Sequence, residues 1–94
     1  MARERRWILL TIDGRHATLA RSAEPTEAEV VQAASALAAA GLTGWLATME
    51  GEYWSRRRRV VLTPLRLLAG PADANWLTAT AAFKAARCSA TAPH

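Results

Sequence analysis

The stretch Trp7-Ile8-Leu9-Leu10-Thr11-Ile12-Asp13-Gly14-Arg15-His16-Ala17-Thr18-Leu19-Ala20-Arg21 decides the fold. An apolar run ends at Asp13-Gly14 and a second run follows from Arg15. Asp-Gly supplies the positive φ angles that a two-residue type I′ turn needs, so the stretch predicts a β-hairpin. In that register Ile12 faces Arg15, Leu10 faces Ala17 and Ile8 faces Leu19. Ile8, Leu10, Ala17 and Leu19 then share an apolar side, while Trp7, Leu9, Thr11, His16 and Thr18 share the other. The second side is mixed and suits either solvent or a contact with another chain.

Downstream, Ser22 to Pro25 forms a connector, and Thr26 with Glu29 three residues later predicts a capping box. The helix it opens runs to about Ala40, where Gly41 closes it in a left-handed conformation. Val30, Ala34, Leu37 and Ala38 recur at helical spacing; a stripe this rich in alanine can lie close against a sheet. Residues 44–49 predict a third strand and residues 59–68 a fourth. The fourth is apolar on both sides, with Val61, Leu65 and Leu67 on one and Val60, Leu62 and Leu68 on the other, so it is either covered twice or shared with a partner. Pro64 lacks a backbone donor and argues for an edge position or a bulge. Gly70-Pro71 turns the chain. Asp73 is read as the cap of a last helix to about Arg87 that packs through Trp76, Thr80, Phe83 and Arg87, followed by a frayed tail from 89 to 94.

The fold class expected is α+β, in the order β-β-α-β-β-α: a four-stranded antiparallel sheet with two helices packed on one face. With 94 residues the chain is a single domain, 1–94. Similar strings, Trp7-Ile8-Leu9-Leu10-Thr11 beside Trp45-Leu46-Ala47-Thr48, also admit an internal duplication of 7–40 in 43–88. Under that alignment the second unit carries extra length across residues 52–59.

Composition narrows the function. Hydrophobic residues make up 51% of the chain, but 22 of them are alanine, so the core depends on the tryptophans, Phe83 and the leucines. The net charge is +4. Residues 1–50 hold five arginines against six carboxylates, whereas residues 51–94 hold seven cations against two. The basic character therefore belongs to the second half, around Glu52-Tyr53-Trp54-Ser55-Arg56-Arg57-Arg58-Arg59.

Guanidinium groups stay charged, fork onto phosphate or carboxylate oxygens and stack on flat rings. The segment is accordingly the candidate contact surface. Arg56, Arg57, Arg58, Arg59 and Arg66 would meet phosphates, with Tyr53 or Trp54 stacking, and the partner is nucleic acid or an acidic protein surface. The competing expectation is a small protein-binding regulator that uses the same segment as a hot spot, such as a phage or mobile-element inhibitor of a host complex or an antitoxin-like adaptor. A third is a solvated turn whose arginines pair with Glu50 and Glu52. The exposed sheet face and the doubly apolar fourth strand leave room for a homodimer.

Catalysis has little to build on. His16 lies beside a turn, His94 ends the chain, and Cys88 is the lone cysteine, so no metal spacing or nucleophile-base pair arises. Glycines 14, 41, 44, 51 and 70 are isolated turn residues and make no phosphate-cradling loop. The expectation is a non-enzymatic protein without cofactor or metal. The apolar run after the basic start ends at Ile12, too short for an export signal or a membrane span, which points to the cytoplasm.

Overall fold

Every strand and helix expected from the pattern forms. The computed structural model describes residues 4–21, 23–51 and 60–91, with side chains for 5–21, 23–51 and 60–86. The elements are β1 (Glu4–Thr11), β2 (His16–Ala20), α1 (Glu27–Ala40), β3 (Gly44–Gly51), β4 (Val60–Ala69) and α2 (Trp76–Thr91). The four strands form one antiparallel sheet in the order β2-β1-β3-β4, so the fold is α+β as expected.

The first hairpin differs from expectation by one residue. Leu10 pairs with His16, Leu9 with Ala17 and Ile8 with Thr18. The Thr11 N–H donates to the Arg15 carbonyl at 2.9 Å, leaving a three-residue turn of Ile12, Asp13 and Gly14, with Gly14 at φ 88°. The Asp13 side chain selects this turn: its carboxylate accepts from the Thr11 hydroxyl and, at 3.2 Å, from the Arg15 N–H. Such internal bonding stabilises a turn that ends in a left-handed residue, the three-residue alternative for Asp-Gly. A shift of one residue exchanges the faces of β2. His16 and Thr18 therefore join Ile8 and Leu10, and Ala17 joins Leu9. Leu19 falls between two pairs as a bulge, which restores the expected register at Trp7 and Ala20.

β3 is central, and its two faces are buried under different helices. Ile8, Leu10, Trp45, Ala47 and Met49 form the main core with Ala79 and Phe83 of α2. The Trp45 and Trp76 rings meet edge-on at 5.5 Å. On the other face, Leu37 of α1 lies so near Gly44 that a β-carbon there would come within 2.9 Å of it, and Glu27 of α1 pairs with Arg66 of β4. Successive strand residues point to opposite faces, so α1 and α2 cover opposite sides of the sheet. This corrects the expectation of two helices on one face. The physical reason is β3 itself, whose alternate sets Trp45, Ala47, Met49 and Leu46, Thr48 are all buried and need cover on both sides.

β4 lies at the sheet edge, and its register shifts twice, once beside Pro64. Leu65 and Leu68 fall between successive pairs. Val60, Leu62, Pro64 and Leu67 consequently share the α2 face, and Val61, Thr63 and Arg66 the α1 face, in place of the strict alternation expected.

Both helices are capped. At α1, Glu29 N–H donates to the Thr26 hydroxyl at 3.2 Å while the Glu29 carboxylate accepts from Thr26 N–H at 3.1 Å, and Gly41 closes the helix at φ 69°. At α2 the cap is Asn75 and not Asp73. The Ala74 N–H bonds Pro71, closing a turn first, and the Asn75 side chain then accepts from Leu77 N–H at 2.9 Å. α2 continues to Thr91, past the point where a tail was expected.

Candidate functional site

The candidate segment is fixed by the pair that bounds it. Gly51 and Val60 are direct cross-strand partners, so residues 52–59 leave and rejoin the sheet at one position. Tyr53, Trp54, Arg56, Arg57, Arg58 and Arg59 themselves lie outside the described residues. On the neighbouring strand Glu4 pairs with Gly51, Arg5 with Glu50 and Arg6 with Met49. β2 ends at Ala20 opposite Trp7, so Arg21 follows at the same end of the sheet. Arg5, Arg6 and Arg21 thus gather where the segment begins. Sequence reasoning missed them, because the pairing of β1 with β3 joins residues 45 positions apart.

Their charges are partly answered. Arg5 donates from Nε to Glu50 Oε1 at 2.7 Å, and its Nη2 reaches the same oxygen at 2.7 Å. Arg66, the one expected site residue that is described, stands six residues along β4 from Val60, roughly 20 Å in an extended strand. Its Nη2 lies 3.1 Å from Glu27 Oε1, on the α1 face. The structure therefore sets Arg66 apart from the sheet end.

Charge is distributed in an informative way. Residues 5–51 and 60–86 carry six cations and six carboxylates and sum to zero. Of the chain's net +4, three charges belong to Glu52–Arg59 and one to Arg87, with Arg3 and Glu4 cancelling. The folded body is neutral and the excess is concentrated.

Two carboxyls serve the turn and the helix cap. The Asp13 carboxyl is held below its usual range chiefly by the Thr11 hydroxyl and then by the Arg15 N–H. Glu29 is lowered by the Thr26 N–H and hydroxyl. His16 packs against Phe83, ring centroids 5.2 Å apart at 71°. Among the described residues no group of three His, Cys, Asp or Glu side chains is placed to hold a metal, and no helix is long and apolar enough to cross a membrane.

No family model, characterised protein or solved structure matches the chain. Function is thus argued from the anchored basic segment alone.

Proposed function

We propose that this chain is a small non-enzymatic nucleic-acid-binding module of the cytoplasm. Arg56, Arg57, Arg58 and Arg59 contact phosphates, and Tyr53 or Trp54 offers a stacking surface to a base. The observation that carries this reading is the charge partition. A neutral body presents a segment of net +3, from Glu52 to Arg59, at the sheet end where Arg5, Arg6 and Arg21 also lie. Arg66, engaged by Glu27, has a subordinate part.

The test is a titration of labelled single- and double-stranded oligonucleotides over a range of salt. Four phosphate contacts give a slope of log K against log salt of about −3.6 on duplex and about −2.8 on single strands. Changing Arg56 through Arg59 to alanine should remove most of that slope. Absence of binding even at about 50 mM salt sinks the reading, and a stoichiometric protein partner recovered despite nuclease treatment would replace it with a protein-binding regulator.

A further inference from the structure

We draw no further inference here: the strongest candidate, the partly exposed apolar face of the first hairpin that carries Trp7, Leu9 and Ala17 on the α1 side of the sheet, carries nothing because nothing in the structure shows what covers it.

Discussion

Gly14 rests directly against the backbone of Phe83: a β-carbon on Gly14 would fall 2.6 Å from the Phe83 nitrogen and 2.6 Å from the Ala82 carbonyl carbon. The contact joins the first hairpin to the last helix, and it brings the rings of His16 and Phe83 together. Two requirements meet at one residue, since Gly14 also has φ 88°. Gly14→Ala therefore meets both left-handed strain and a clash with backbone that cannot swing away. Urea denaturation should show a loss of about 3 kcal/mol, and a loss below about 0.5 kcal/mol, ordinary for a surface change, would contradict the packing described.

Ile8 and Leu10 are fully buried between the sheet and α2. Truncating either leaves a cavity as well as losing transfer energy. Leu10→Ala should cost about 3 to 4 kcal/mol, whereas Val31→Ala on the exposed side of α1 should cost about 0.5 kcal/mol or less. The same denaturation series ranks them, and equal losses would refute the assignment of the core.

Thr26 satisfies the Glu29 N–H and receives the Glu29 carboxylate in return. Thr26→Ala should destabilise the protein by about 1 kcal/mol. Thermal unfolding followed by circular dichroism measures it, and Thr26→Ser, which keeps the hydroxyl, should recover most of the loss.

Acid sensitivity has a definite sign at Asp13. Its carboxyl titrates lower in the folded protein than the ordinary 3.8, so the folded state favours the ionised form. That stabilisation is present above the ordinary value and disappears as pH falls through the lower, folded one. Asp13→Asn should reduce stability near neutrality and flatten its decline below about pH 4. A decline as steep as in the parent protein, in stability measured from pH 2 to 7, would assign the acid dependence to other carboxylates.

The Arg5 and Glu50 pair is short but solvent-facing, with the arginine side chain 58% exposed. Its coupling in a double-mutant cycle should be about 1 kcal/mol or less. Removing Glu50 has a second effect, since it leaves another cation at the sheet end; Glu50→Gln should tighten oligonucleotide binding modestly and steepen its salt dependence if phosphate meets that end.

Local signals were the legible part of this fold. The Thr26 and Glu29 box, Gly41 and Asp13-Gly14 act within a few residues, and each marks its element where the pattern places it. What escaped was decided at a distance or by competing turn chemistry. The hairpin register turned on whether the Asp13 side chain would bond inside its own turn, and that choice moved His16 onto the α2 face. The helices took opposite faces because Leu46 and Thr48 are buried as well as Trp45 and Ala47, yet in sequence residues 44–49 read simply as a strand and β4 was the one that looked apolar on both sides. Of the candidate site, Arg56 through Arg59 stood out from the charge run itself, whereas Arg5, Arg6 and Arg21 became neighbours of that segment only through the pairing of β1 with β3. Arg66 was grouped with them by charge, and its place six residues along β4, where it pairs with Glu27 of α1, separates it.

The pairing of Gly51 with Val60 makes the protein divisible. Because those residues already face each other, an Asn-Gly dipeptide could join them in place of residues 52–59 as a two-residue hairpin. The shortened chain loses four arginines and one glutamate, and its net charge falls from +4 to +1. Every described element would keep its neighbours. Such a chain would be a carrier without cargo, and other sequences of similar length could be grafted between the same two residues and compared on one unchanged body.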